Sequence, residues 1–106
     1  MEKGMLSKRF ICEHRSVPGI EGVERLIDTN MVRGLHRSKR QDIKVLYSFV
    51  NLKDQLMYSV LDAHDRQSVE SFFSDMRIPL EGVMEVELQC EGKGNIIDLK
   101  AVREAA

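Results

Sequence analysis

The chain has 106 residues, 42% apolar and 31% charged, with 16 Lys and Arg against 17 Asp and Glu for a formal net charge of -1. That balance gives no global electrostatic reason to bind nucleic acid or an anionic membrane, so neither is an expected partner. At this length a single domain over 1–106 is expected, with a core over about 5–90 and a C-terminal tail over 91–106, because the chain is too small for two independent cores.

Near the start the apolar run covers only residues 10–12, far too short for a signal peptide or a membrane span, and a cytoplasmic location is expected. Cys12 and Cys90 are too few for a disulfide scaffold and read as reduced thiols.

Residues 6–14 alternate weakly and predict a first strand, with Arg9, Ile11 and Glu13 on one face and Phe10 and Cys12 on the other. Val17, Pro18 and Gly19 end it. The apolar positions Val23, Leu26, Ile27, Met31, Gly34 and Leu35 then follow helical spacing and predict a first helix, weakened at its ends by Gly22 and Gly34 and left through a polar exit over 33–40.

Residues 43–50 and 56–61 predict two strands that are apolar on both faces. The first divides into Ile43, Val45, Tyr47 and Phe49 against Leu46 and Val50, the second into Leu56, Tyr58 and Val60 against Met57 and Leu61. A short connection over 51–54 makes them an antiparallel hairpin, and a simple register sets Tyr47 opposite Tyr58.

Asp62 and Asp65 offer N-caps for a second helix, in which Val69, Phe72, Phe73 and Met76 recur at helical spacing before Pro79. Residues 83–90 predict a fourth strand with Met84, Val86, Leu88 and Cys90 on the core face and Val83, Glu85 and Glu87 on the other. Ile96, Ile97, Leu99 and Val102 give the tail enough apolar content to dock, as strand or as helix.

Strand, helix, strand, strand, helix, strand is the order of an α+β, ferredoxin-like βαββαβ fold, a four-stranded antiparallel sheet with two helices on one face. Its usual strand order separates Cys12 from Cys90 by roughly 15 Å at strand rise, beyond the roughly 7 Å that a disulfide allows. A sheet apolar on both sides needs two covers, and the helices supply one. The other face is therefore expected to meet a second copy, in a homodimer of the dimeric α/β-barrel type.

Three segments resemble a known family. Glu13-His14 followed by Pro18-Gly19 is similar to a first strand ending in Glu-Arg or Glu-His before Pro-Gly. Ile43-Lys44-Val45-Leu46-Tyr47-Ser48-Phe49-Val50 is similar to Ile-x-Trp-x-His-Ser-Tyr-Val, and Ile78-Pro79-Leu80-Glu81-Gly82-Val83-Met84-Glu85-Val86 to Phe-Pro-Ala-x-x-Ile-x-Glu-Val. The family consists of small ferredoxin-like proteins catalogued as a domain of unknown function and associated with nickel binding. The resemblance implies the same fold and a dimer. Tyr47 and Phe72 stand where members offer imidazoles, so no cofactor is predicted, and nickel or zinc is expected to bind only weakly.

With Phe10, Cys12, Leu46, Val50, Met57, Leu61, Val86 and Leu88 under the helices, the opposite face presents Arg9, Ile11, Glu13, Tyr47, Phe49, Tyr58, Glu85 and Glu87. Aromatic area joined to hydroxyls and carboxylates is the mixture a small-molecule pocket uses. Glu13, Tyr47, Tyr58 and Glu85 are the candidate ligand-binding residues. The same aromatics serve equally as a dimer core, with the carboxylates in ion pairs or solvent.

His14, His36 and His64 lie in separate segments, without metal-ligand spacing, and adjacent Glu13 and His14 point to opposite faces of a strand. The basic run around Arg33, Arg37, Lys39 and Arg40 lacks the aromatic motif of RNA-reading sheets and reads as a solvated loop. The sequence reading is a dimeric protein that binds a small ligand or a metal. The alternative is a cofactor-free isomerase or monooxygenase of the dimeric ferredoxin-like barrel type, with Glu13 or Glu85 carrying the proton and Tyr47 or Tyr58 orienting the substrate.

Overall fold

The computed structural model describes residues 8–15 and 29–100. In chain order the elements are β1 (Lys8–Arg15), α1 (Thr29–His36), β2 (Ile43–Asn51), β3 (Leu56–Ala63), α2 (Arg66–Asp75), β4 (Gly82–Val86), β5 (Leu88–Cys90) and β6 (Ile96–Asp98). Four of them form an antiparallel sheet in the order β2-β3-β1-β4, and β5 pairs separately with β6. This α+β arrangement is compatible with the ferredoxin-like expectation. The turn at 17–19, the 23–28 portion of the predicted first helix and the tail beyond residue 100 lie outside the described residues.

Strand alternation builds the covered face. On β1 it turns Phe10, Cys12 and His14 inward, and on β3 Met57, Ser59, Leu61 and Ala63, all buried. Phe10 lies opposite Leu61, Cys12 opposite Ser59 and His14 opposite Met57. Against them pack Leu35 from α1 and Val69, Phe72 and Phe73 from α2, in one core that places both helices on the same side of the sheet. The Phe72 and Phe73 rings meet edge to face at 5.1 Å. Burying each contributes about 1.5–3 kcal/mol relative to exposure.

Both ends of α2 have a local cause. Asp65 caps its N-terminus, the carboxylate accepting from the Ser68 N–H at 2.7 Å. Asp62 does not cap; it binds Arg9. At the C-terminus the Ile78 N–H donates to the Phe73 carbonyl at 2.9 Å and the Arg77 N–H to the Ser74 carbonyl at 3.0 Å, the paired bonds of a Schellman turn. Arg77 adopts a left-handed φ of 59° there, so the helix stops before Pro79 is reached.

Two expectations of facing are corrected. β2 pairs Val45 with Leu61 but Tyr47 with Val60, so one extra residue is accommodated at this point as a bulge. Ile43 and Val45 therefore face the helices while Tyr47 and Phe49 face away. Phe49, not Tyr47, stands opposite Tyr58, and Leu46 reaches the open side.

The second correction concerns residues 83–90, which divide into β4 and β5 instead of forming one strand. Pairing with β1 sets Met84 across from Ile11 and Val86 across from Arg9, on the open face. Val83 and Glu85 fall across from Cys12 and Phe10, on the helix side. Apolar residues occur in both phases of β4, so alternation alone does not choose between them.

Candidate functional site

Cross-strand pairing arranges the open face in three rows. Lys44, Asp62, Arg9 and Val86 form the first; Tyr47, Val60, Ile11 and Met84 the second; Phe49, Tyr58, Glu13 and Gly82 the third. The middle row is wholly apolar apart from one phenol hydroxyl, and charge is confined to the rows beside it. Tyr47 and Phe49 stack with centroids 6.3 Å apart and rings 23° from parallel. Both rings, with Tyr58 and Met84, are exposed.

Two depressions share Ile11 and Met84 as floor. One, of about 380 Å³, runs between Tyr47 and Phe49 on one side and Leu88 and Gln89 of β5 on the other. The second, of about 360 Å³, lies between Glu13, Tyr58 and Gly82. Each is at the small end of the range for ligand pockets.

Ion pairs hold the charges at the rim. The Arg9 Nε donates to Asp62 Oδ1 at 2.9 Å and its Nη2 to Oδ2 at 3.3 Å, while Nη1 donates to Gln89 Oε1 at 2.7 Å. Hydrogen bonding to Asp62 holds the Arg9 guanidinium pKa above its ordinary value, against the opposing effect of partial burial. Glu13 accepts from the Arg15 guanidinium.

Of the candidate residues, Glu13 and Tyr58 are direct cross-strand partners, and Tyr47 lies in the adjacent row, two strands from Glu13. Glu85 does not join them; its register carries it to the helix side of β4. Arg9 was legible as an open-face residue from alternation, but its engagement by Asp62 and Gln89 was not, since Gln89 reaches it only through the turn from β4 into β5.

His14 lies under the helices. Its Nδ1–H donates to the Pro79 carbonyl at 3.0 Å, and its Nε2 accepts from Ser59 Oγ, also at 3.0 Å. Its ring lies 4.3 Å from that of Phe73. A serine hydroxyl on an oriented histidine has the outline of an activated nucleophile, but His14 and Ser59 are 1% and 0% exposed, so neither presents an atom to a substrate. Burial lowers the His14 pKa, and the bond to the Pro79 carbonyl opposes this less strongly.

His36 Nε2 and Ser48 Oγ share a hydrogen bond of 2.9 Å, and His64 is exposed before α2. Among the described residues no three His, Cys, Asp or Glu side chains converge as a metal site, and no helix is long and apolar enough to cross a membrane. No protein-family model, curated protein or solved structure matches the chain.

Proposed function

We propose that the chain is a ferredoxin-like protein whose open sheet face packs against a second copy and holds a small ligand in the enclosed space. The observation that carries this reading is the apolar middle row with charge only at its margins. An interface of moderate affinity has that anatomy, an apolar centre inside a polar rim. Tyr47 at 63% exposure, Phe49 at 61%, Met84 at 55% and Leu88 at 62% amount to on the order of 450 Å² of side-chain surface. That is within the range of the largest patch on a monomer, roughly 300–600 Å² and often functional, and over half of the roughly 800 Å² per partner in a standard interface. Half-buried Ile11, Val60 and Val86 extend it.

A thermal-shift screen of small molecules and divalent metals tests the ligand part, because a ligand bound only to the folded state raises the midpoint, and goes on raising it with the logarithm of its concentration. Midpoint shifts that disappear in Tyr47→Ala and Tyr58→Ala support it. Shifts unaltered by either change would move the site elsewhere.

The pairing of Glu13 with Tyr58 favours a second reading, in which Glu13 carries a proton for a cofactor-free isomerisation or oxygenation and Tyr58 orients the substrate. Glu13→Gln separates the two. Proton transfer collapses in that variant with affinity largely kept, whereas a purely binding role leaves no turnover to lose.

A further inference from the structure

We infer that the depression between Tyr47 and Leu88 selects a flat apolar molecule bearing a neutral carbonyl oxygen, received by Arg9 and Gln89. This rests on the open face being a ligand site and names the chemistry it recognises.

Among the described residues the depression offers hydrogen-bond donors and no carboxylate. A guanidinium has five N–H groups and no acceptor. Arg9 uses three of them, two on Asp62 and one on Gln89, leaving one N–H on each terminal nitrogen. Because Arg9 can only donate, Gln89 must turn its oxygen toward Arg9, and its NH2 group then points away with two donors of its own. Leu46, Tyr47, Val60, Met84 and Leu88 supply the apolar lining around these donors, and among the described residues neither Asp nor Glu lines the space. A molecule filling it is favoured by an acceptor at the Arg9–Gln89 end.

Asp62 decides that the acceptor is neutral. Its carboxylate engages Arg9 through both oxygens, so the pair carries no net charge. A ligand carboxylate would sit near Asp62, and Lys44, the other cation of that row, does not line the depression to repay its desolvation, whereas a ketone takes the spare N–H at lower cost. The Tyr47 and Phe49 rings, within 23° of parallel, suit a flat body.

Equilibrium dialysis of the full chain against three matched probes tests the inference: 1-acetonaphthone, 1-ethylnaphthalene and 1-naphthoate. The ketone is expected to bind at least about tenfold more tightly than the hydrocarbon, the value of one hydrogen bond to a charged donor, and more tightly than the carboxylate. Arg9→Met combined with Asp62→Asn, which removes both charges together, should abolish the preference, so that ketone and hydrocarbon bind alike. Gln89→Leu, a change on the exposed hairpin, should reduce the preference and carries the test if the double variant does not fold. Equal binding of ketone and hydrocarbon, tighter binding of naphthoate, or a preference that survives both variants would overturn the inference while leaving the face a ligand site. Failure of all three probes to bind would overturn the inference and count against the ligand reading beneath it.

Discussion

The imidazole of His14 accepts a hydrogen bond from Ser59 Oγ at 3.0 Å inside the protein, joining β1 to β3 beneath the helices. That bond requires a neutral ring, and burial lowers the His14 pKa accordingly. The unfolded chain takes up a proton near the ordinary value of 6.5 while the folded chain does not. Stability is therefore full above that pH and declines as the pH falls below it, until the folded-state pKa is reached. Urea unfolding between pH 8 and pH 5 should show this decline, and His14→Gln should flatten it. His14→Ala should cost about 2–4 kcal/mol at neutral pH, combining a cavity with an unpaired Pro79 carbonyl and Ser59 hydroxyl.

Arg77 closes α2 in a left-handed conformation that an L side chain occupies at a cost. Arg77→Gly is expected to stabilise the fold by up to about 1 kcal/mol, the relief of the left-handed position outweighing the added freedom of the unfolded chain. Arg77→Ala should not do so. Thermal melts of the two variants against the parent chain decide between backbone relief and loss of the arginine side chain.

The two thiols should differ sharply. Cys12 is fully buried, and burial pushes its pKa up to about 12, whereas Cys90 is exposed on the β5–β6 hairpin. Titration with a chromogenic disulfide should consume one thiol per chain rapidly under native conditions and the second only on unfolding. A ligand held between Tyr47 and Leu88 should slow the rapid reaction, because Cys90 lines the same depression.

Nickel is expected to be held only weakly. Both ring nitrogens of His14 are committed within the core, and Tyr47 and Phe72 provide no imidazole. A neutral phenol is a poor ligand for a late divalent ion, and phenylalanine has no lone pair to give. Dialysis against a mild chelator should leave substoichiometric metal. Retention of one nickel per chain, lost in His14→Ala, would contradict this.

Much of the core was readable because its signals were redundant. Phe10 and Cys12 on a strand, Val69, Phe72 and Phe73 on a helix and Asp65 before it each combine periodicity with a chemical reason for position, and these residues fell where the pattern put them. Phase failed where the pattern was ambiguous. Residues 43–50 and 83–86 carry apolar side chains on both faces, so the bulge after Val45 and the phase of β4 were settled by pairing with β3 and β1, which no local pattern encodes. For the candidate site, alternation on β1 and β3 placed Glu13 and Tyr58 correctly on the open face. Tyr47 reached that face too, though through a register that the hairpin turn did not foretell, and Glu85 was lost with the phase of β4.

The proposed cover of the open face is a second copy of the chain. Sedimentation equilibrium at tens of micromolar, on the parent chain and on Phe49→Lys, tests it most directly, because Phe49 is exposed and its replacement should disturb the surface without disturbing the core. Twice the chain mass of 12.2 kDa is expected for the parent. A folded monomer is expected for the variant, since a charge opposed to its own copy is strongly disfavoured at a desolvated interface. A parent chain that sediments as a monomer throughout, or a Phe49→Lys variant that associates as tightly as the parent, would contradict it.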